Sequence, residues 1–325
     1  MASTGPAAAR LPVRDPITLL SLVVALLAVS AAVTGLLWGS RADPQPFITA
    51  RGTPVQLNGD GLYRYDAVAA AAGQVAVDIV VLLVGVPLLL VALRGYRRGS
   101  PRGVLLLAAT MGYLLYVYAN GALGVAYNSL FLVYVALLSV SLFGFCTAVV
   151  GADRAPLVAA IASGRVPVRA LAAFLFTSGT VTALLWLAPL VAGLLYGAPP
   201  AMLGNATTMV TYALDLAVIA PAAGFTGYLL MCGRPLGLLL AAPLLLLVVA
   251  LLPTLVLSTV LQVHAGVPFD LAQMAGPVAG FALLGSVGAA LLIRLLAGAG
   301  PRSTSEAASA QVQAVDPDGP STPPR

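Results

Sequence analysis

The stretch from Asn205 to Pro221 reads N-A-T-T-M-V-T-Y-A-L-D-L-A-V-I-A-P and begins an apolar segment of membrane length. If the helix starts at Ala206, Asp215 lies about nine residues inside it, roughly 13 Å along the axis. A carboxylate that deep in hydrocarbon is costly unless it faces protein or water. The stretch therefore predicts a membrane-spanning helix in which Asp215 is the leading candidate for a functional residue.

Hydroxyl-bearing side chains recur around Asp215 at helical spacing. Thr208, Thr211 and Tyr212 precede it, and Thr226 follows it. On a period of about 3.6 residues these side chains share one face with the carboxylate. We interpret this face as a candidate ligand-binding surface. The alternative is that the carboxylate hydrogen-bonds a tyrosine or asparagine of a neighbouring helix, a common way of joining helices in a membrane.

The composition of the whole chain supports a membrane location. The 325 residues are 60% hydrophobic and only 8% charged, with a mean hydropathy of +1.00. A soluble globular domain does not have this composition, whereas an all-α polytopic transmembrane bundle does. All sixteen basic residues are arginine, and this bias together with abundant Ala, Leu, Val and Gly is typical of a GC-rich genome. We therefore expect a bacterial protein in the plasma (inner) membrane.

Eight apolar segments have the length needed to cross a bilayer. Their predicted bounds are 17–38, 69–93, 104–120, 128–150, 171–196, 206–231, 236–261 and 271–296. The first segment could instead be a cleaved signal peptide, but its apolar run is longer than the core of such a peptide normally is. The predicted organisation is a tail (1–16), a first membrane half (17–150) with a long loop (40–68), a linker (151–170), a second half (171–298) and a tail with few large apolar residues (299–325).

Local signals mark several of the connections. In the 40–68 loop, V-Q-L-N-G-D-G-L-Y-R-Y places turn residues between two short alternating stretches and predicts a β-hairpin. Asp15 before Pro16 predicts a capped helix start, and the spacing of Asp270 and Gln273 predicts a capping box. His264 is expected in a loop as a surface side chain. Asn205-Ala206-Thr207 matches a glycosylation sequon, which we discount in a bacterial protein.

The arginines predict the orientation of the chain. If both termini are cytoplasmic, thirteen of the sixteen arginines fall in inner segments and only Arg41, Arg51 and Arg64, all in the first long loop, fall outside. This asymmetry favours N-in, C-in under the positive-inside rule. It also explains the net charge of +5 without any affinity for nucleic acid, which we do not expect as a partner.

Two local patterns recur in order and indicate an internal duplication. V-T-G-L-L-W-G from Val33 is followed by V-A-G-L-L-Y-G from Val191, and D-I-V-V from Asp78 by D-L-A-V from Asp215. An even number of spans in each copy would make the two halves parallel, as in some transporters with sites at the interface between repeats. The alternative is chance matching in apolar sequence of low diversity.

Polar residues of four spans are expected to converge on one pocket that opens outward beneath the 40–68 loop. The candidate ligand-binding residues are Asp215, Tyr212, Thr211, Thr208, Asp78, Gln74, Tyr113, Tyr116, Asn120 and Asn128. For Asp78 we favoured a structural role near the interface, with Gln74 within reach one turn before it. The tyrosines have their own alternative, since aromatic residues also collect at membrane boundaries.

Several kinds of chemistry have no support in the sequence. It contains no Walker loop, G-x-S-x-G elbow, H-E-x-x-H or C-x-x-C motif. The single histidine and the separated Cys146 and Cys232 predict neither a multi-histidine metal site nor a redox pair. We therefore predict no catalytic residue, no metal and no cofactor.

Four further patterns carry a resemblance to a known group. They are G-L-Y-R-Y-D (61–66), G-Y-L-L-Y-V-Y (112–118) with Y-N-S-L-F-L-V-Y-V-A-L (127–137), and Y-A-L-D-L (212–216). Across spans two to six the chain resembles a group of uncharacterised bacterial multi-span membrane proteins. This resemblance implies the fold only, and it carries no functional residues with it.

The leading functional hypothesis is an integral membrane protein that binds or translocates a small molecule, an ion or a lipid, with Asp215 as its key residue. A structural or assembly subunit of a membrane complex is the second hypothesis, and a membrane-embedded lipid-modifying enzyme is the third. The lipid bilayer is the first expected partner. A homo-oligomer or another subunit of a membrane complex is the other.

Overall fold

A computed structural model describes residues 15–39, 42–267 and 271–300. Counting each span as one helix, its elements are α1 (Pro16–Leu37), β1 (Gln45–Ile48), β2 (Pro54–Leu57), α2 (Val68–Arg97), α3 (Pro101–Gly124), α4 (Phe131–Val150), α5 (Ala155–Ala162), α6 (Val168–Tyr196), α7 (Val210–Met231), α8 (Pro235–His264) and α9 (Leu271–Gly298). All except the short α5 and the two strands are long and apolar enough to cross a membrane. The all-α, eight-span bundle is confirmed.

The helix bounds correct the expected positions of the two aspartates along their spans. Helix α7 begins at Val210 rather than Ala206, so Asp215 follows its first residue by 215 − 210 = 5 positions, or about 8 Å. Helix α2 begins at Val68, so Asp78 follows by 78 − 68 = 10 positions, or about 15 Å. Asp78, which we placed near the interface, therefore lies farther along its helix than Asp215.

The eight spans pack in an order that repeats between the two halves. In the first half α1 packs on α2 and α4, α2 on α3, and α3 on α4. In the second half α6 packs on α7, α7 on α8 and α8 on α9, while α6 and α9 touch only over a short stretch. The shared order is what a duplication would produce. The duplication itself stays a prediction.

Helix α8 joins the halves at the centre of the bundle, where it packs on α2, α3, α7 and α9. Its first half, from Gly237 to Ala250, supplies most of its buried side chains. Helix α3 approaches it closely at Gly112, where a Cβ would lie 2.6 Å from Cβ of Pro243. Glycine is needed there because a larger residue would separate the two backbones.

Each of the two spans that hold an aspartate contains a π-helical stretch, Val81–Gly85 in α2 and Asp215–Ile219 in α7. One residue separates each stretch from a proline, Pro87 or Pro221. Proline lacks a backbone N–H and its ring clashes with the carbonyl one turn earlier, and a wider turn relieves both effects. In α7 the wide turn begins at the aspartate itself.

The predicted β-hairpin forms, but with different partners from those expected. Gln45–Ile48 pairs antiparallel with Pro54–Leu57, with Gln45 opposite Leu57. The turn lies at residues 49–53, where Gly52 has φ 78°. The Asn58-Gly-Asp-Gly61 stretch, which we read as the hairpin turn, instead leads from β2 into a compact turn that ends at Asp66. We call the end of the bundle that bears this loop the hairpin end.

At the opposite end, which we call the arginine end, two arginines bind the end of the last helix. Arg102 donates from Nη2 to the carbonyl of Ala297 (3.1 Å), and Arg165 donates from Nη1 to the carbonyl of Gly300 (2.7 Å). The last carbonyls of a helix lack partners within the helix, and positive charge there is favourable. Arginines that the sequence suggested only as markers of orientation therefore also fix α9. The N-in, C-in orientation stays a prediction.

The predicted helix starts met different outcomes. Helix α1 begins at Pro16 as expected, but Asp15 does not cap its backbone; its Oδ2 accepts a bond of 3.4 Å from the Thr18 hydroxyl. Asp270 and the side chain of Gln273 lie outside the described residues. His264 is exposed as expected, at the last position of α8 rather than in a loop.

Candidate functional site

Asp215 lies where three helices meet at the hairpin end, and its side chain is only 8% exposed. Its Oδ1 accepts a hydrogen bond of 2.8 Å from the Tyr116 hydroxyl of α3, and its Oδ2 accepts one of 2.7 Å from Nε1 of Trp186 in α6. The Trp186 ring also packs on Tyr212 of α7, with ring centroids 4.1 Å apart at 31°. The carboxylate of Asp215 and the rings of Tyr116, Trp186 and Tyr212 thus form one compact group, which we call the Asp215 cluster.

A second polar link joins α3 to the start of α7. The Thr211 hydroxyl donates to Oδ1 of Asn120 (2.7 Å), whose amide donates to the carbonyl of Tyr116 (3.0 Å). Of the hydroxyl residues expected on the Asp215 face, Thr208 lies before the helix and is exposed. Thr226 is fully buried, and its hydroxyl has no hydrogen-bond partner among the described residues.

Asp78 forms a separate group near the same end. Its Oδ2 accepts a hydrogen bond of 2.6 Å from the hydroxyl of Tyr63, in the turn before α2. The Tyr63 hydroxyl lies 3.3 Å from that of Tyr134 in α4. Gly35 of α1 closes the remaining side, because a Cβ there would overlap Oδ2 of Asp78. We call Asp78, Tyr63 and Tyr134 the Asp78 cluster.

Helix α3 separates the two clusters. Tyr116 and Asn120 are one turn apart and face Asp215, whereas Tyr118, two residues after Tyr116, lies on the other side because each residue turns the helix by about 100°. Tyr118 is buried and close enough to Asp78 and Tyr134 to interact electrostatically with both. The residues expected to share one pocket are therefore divided between two sites.

The remaining candidates have more local roles. Tyr113 is buried and packs over Gly85 of α2, where a Cβ would lie 3.3 Å from its ring. Gln74 is half-buried. We expected it to reach Asp78, but the hydrogen bond to Asp78 comes from Tyr63. Asn128 accepts from the backbone N–H of Leu130 (2.9 Å) at the start of α4, and its side chain also approaches the hydroxyl of Tyr134.

A third buried acid, Asp66, lies outside the spans in the turn before α2 and is 6% exposed. Its Oδ1 accepts from the backbone N–H of Ala126 (2.9 Å), and its Oδ2 has no partner among the described residues. Burial raises the pKa of Asp66 to about 6, and the Ala126 bond opposes that rise. Asp66 is therefore a titratable group close to physiological pH.

Asn205 ties the turn before α2 to the loop before α7. Its amide donates to the carbonyl of Tyr65 (2.7 Å), and its Oδ1 accepts from the backbone N–H of Ala67 (3.0 Å). Both ends of the side chain are used. Asn205, the first residue of the sequon, thus links the two halves of the chain at the hairpin end.

The structure shows two empty spaces near the hairpin end, and neither is lined by an aspartate. One holds about 10 Å³ and is lined by Trp38, Gly61, Leu62, Arg64, Asn128 and Ser129. The other is an apolar groove of about 270 Å³, lined by Pro189, Ala192, Gly193, Tyr196 and the proline-rich residues 198–200. The outward-opening polar pocket expected beneath the loop stays a prediction.

No described arginine or histidine forms an ion pair with either membrane aspartate. Of the side chains that bind them, Tyr116 was among the residues selected from the sequence, whereas Tyr63 and Trp186 were not. Tyr63 lies in a loop, and Trp186 in a run of apolar residues where it looks like a lipid-facing side chain. Only the rule that a buried carboxylate needs donors could have prompted a search for them.

Comparison of the chain with family models, with curated proteins and with solved structures gave no match.

Proposed function

We propose that the protein, an integral membrane protein with eight spans, binds and translocates a small organic cation at Asp215. The observation that carries this proposal is a buried carboxylate held by two neutral donors, Tyr116 and Trp186, with no ion pair from the described residues. A charge in that position must be neutralised by a proton or by a cation from solution.

The side chains around the carboxylate favour an organic cation over a metal ion. Trp186, Tyr212 and Tyr116 bring three aromatic rings to one carboxylate. Ring faces attract ammonium groups, and the attraction strengthens when the cation is desolvated. A hard metal ion would instead prefer several oxygen ligands.

The helices around Asp215 are packed so that they can separate there. Helix α7 contacts α3 mainly through its first residues, from Val210 to Asp215, and α6 lies at the edge of the bundle with α7 as its main neighbour. The polar links across this junction are the Tyr116 and Trp186 bonds to Asp215 and the Thr211–Asn120 bond. Entry of a cation would exchange these few bonds for bonds to the ligand without separating a large apolar surface.

Binding can be measured by tryptophan fluorescence, because Trp38 and Trp186 are the only two tryptophans in the sequence. In a Trp38→Phe background the emission reports on Trp186 alone. We expect choline to change this emission saturably and 3,3-dimethylbutan-1-ol, its neutral isostere, to leave it unchanged. Asp215→Asn should abolish the choline response. Equal responses to the two probes, or a response that survives Asp215→Asn, would overturn cation binding.

Translocation needs a second measurement on the same protein in liposomes. A choline concentration jump on a supported membrane should produce a current that Asp215→Asn removes. Asp153→Asn is a matched control, because that carboxylate lies in the loop between α4 and α5 and, among the described residues, accepts only from the backbone N–H of Ala155. Choline binding with neither a current nor uptake of radiolabelled choline into the liposomes would contradict translocation.

The second candidate is a structural subunit, and the complete hydrogen bonding of Asp215 favours it. Polar bonds between helices are a common means of holding membrane proteins together, at about 0.6 to 2 kcal/mol each. In that case Asp215→Ala should lower thermal stability, a defined partner should copurify, and no cation should alter Trp186 emission.

A further inference from the structure

The Asp78 cluster has features that the cation site at Asp215 does not share. Its carboxylate is reached through a chain of hydroxyl groups rather than through aromatic faces. Gly35 packs against it so closely that no ligand larger than a proton fits between α1 and the carboxylate. A buried acid joined to hydroxyl groups and closed to larger ligands suggests a site for a proton.

We propose that Asp78 is the proton-binding site of this protein and that Tyr134 and Tyr63 relay the proton to it from the hairpin end. The proposal names the coupling ion for the transport proposed above, and only that coupling rests on the proposed function. Proton binding at Asp78 stands on its own geometry.

The relay follows three oxygen atoms. The Tyr63 hydroxyl donates to Oδ2 of Asp78 at 2.6 Å, and the hydroxyls of Tyr134 and Tyr63 are 3.3 Å apart, with either able to donate. When Tyr63 gives its hydroxyl proton to Asp78, it receives one from Tyr134. Tyr134 in turn takes a proton from solvent, so one solvent proton is consumed and both tyrosines end unchanged.

Tyr63 must stay neutral between transfers, and its surroundings ensure this. Burial, and then the Asp78 carboxylate, raises the pKa of Tyr63 well above its ordinary value. A phenol in that position keeps its proton except when another proton replaces it at once. Transfer is therefore concerted along the chain and leaves no charged tyrosinate.

Solvent reaches the start of the relay at the small cavity beside Asn128. Its volume of about 10 Å³ is close to what one water molecule needs, and its lining is partly polar. Asn128 both lines this cavity and approaches the Tyr134 hydroxyl. The route therefore runs from the cavity past Asn128 to Tyr134, Tyr63 and Asp78.

Among the described residues, none of the groups that face Asp78 is a cation. From α3 the nearest ionisable group is Tyr118, from α4 it is Tyr134, and from the turn before α2 it is Tyr63, with Asp66 near Tyr134. Helix α1 contributes Gly35, and α8 meets α2 where Gly73 approaches Ser258. None of these three residues titrates. Protonation of Asp78 is therefore the available means of removing its charge.

Infrared spectroscopy tests this without any substrate, using the full-length protein in lipid nanodiscs. A protonated carboxyl group has a C=O band that disappears on ionisation, and we would follow it from about pH 4 to 10, a range that covers large shifts of a buried acid. The starting protein should be Asp66→Asn, because Asp66 also titrates. We expect a titrating band that Asp78→Asn removes.

Tyrosine variants separate the relay from a general effect on the fold. Tyr63→Phe removes the one side-chain donor that Asp78 has among the described residues and should change both the frequency of the band and the pH midpoint at which it appears. Tyr116→Phe alters the other aspartate in the same way and should leave the Asp78 band unchanged. Tyr134→Phe should slow proton uptake after a pH jump at least tenfold while the band itself remains.

Three results would overturn the proposal. They are a set of carboxyl bands that Asp78→Asn leaves unchanged, an Asp78 band that Tyr63→Phe does not change, and proton uptake that Tyr134→Phe does not slow. Asp78→Asn could fail to fold, and Tyr63→Phe then gives the decision because it keeps the carboxylate. Failure of choline binding at Asp215 would leave all three measurements unaffected.

Discussion

Gly35 of α1 lies against the carboxylate of Asp78 in α2, with no room for a Cβ between the two helices. The Tyr63 hydroxyl would lie 2.9 Å from such a Cβ, so the glycine also shapes the hydrogen bond between Tyr63 and Asp78. The pattern V-T-G-L-L-W-G contains this glycine. The role of Gly35 therefore depends on Asp78, a residue of the next helix.

Gly35→Ala should therefore destabilise the protein, although alanine is the better helix former by about 1 kcal/mol. Forcing a methyl group into a filled space costs about 1–3 kcal/mol, and here the overlap is with a carboxylate oxygen. Unfolding in mixed micelles would measure the loss. Gly224→Ala is the matched control, because nothing lies within 4 Å of a Cβ there; equal effects of the two substitutions would contradict the close contact.

Asn205→Ala should loosen the hairpin end. The side chain joins Tyr65 and Ala67 to the loop before α7 through two hydrogen bonds, and a typical hydrogen bond within a protein contributes about 0.5–1.5 kcal/mol. We expect faster hydrogen exchange at the Ala67 amide, measured by mass spectrometry of the turn before α2. Thr207→Ala changes an exposed side chain in the same loop and should leave that exchange unchanged.

Asp66 should make stability depend on pH between about 4 and 6. Burial raises the pKa of Asp66 to about 6, so between the unfolded and folded pKa values the folded state binds more protons. Stability therefore falls as pH rises through this window, by up to about 3 kcal/mol, and is level above it. Asp66→Asn keeps an oxygen for the Ala126 N–H and should remove this fall from a series of unfolding curves; an unchanged fall would assign it to another group.

Arg165→Ala should free the end of α9. The guanidinium donates to the carbonyl of Gly300, and charge at a helix C-terminus contributes about 0.3–1 kcal/mol. Amide exchange at Ala299 and Gly300 should accelerate, because these N–H groups close the last turn. Arg98 is exposed and its side chain makes no hydrogen bond with the described residues, so Arg98→Ala should leave that exchange unchanged.

The two membrane aspartates show how a repeated sequence pattern can lead to different surroundings. Asp78 and Asp215 occupy matching positions in the two local patterns, as do Gly35 and Gly193. Gly35 meets Asp78, whereas a Cβ on Gly193 would meet the carbonyl of Ala198 and the ring of Pro200. Asp215 is bound instead by Trp186, which lies two turns before Gly193 in α6. If the halves arose by duplication, their sites have since diverged.

Proline positions were a second point that the sequence left open. Pro87 and Pro221 each follow a π-helical stretch, yet Pro189, Pro243 and Pro253 lie in continuous α-helix. The same residue type therefore has two outcomes. The presence of a proline alone does not predict a π-helical stretch.

By itself the sequence determined that the chain crosses a membrane eight times, because in hydrocarbon every backbone polar group must be bonded within its own segment and apolar length alone identifies such helices. It also identified Asp215 and Asp78, since a charge in an apolar segment is conspicuous. Only the tertiary structure decided that Tyr63 binds one aspartate and that Trp186 and Tyr116 bind the other. These pairings depend on the rotation and contact of whole helices, which side-chain packing fixes and which the pattern along one helix does not contain.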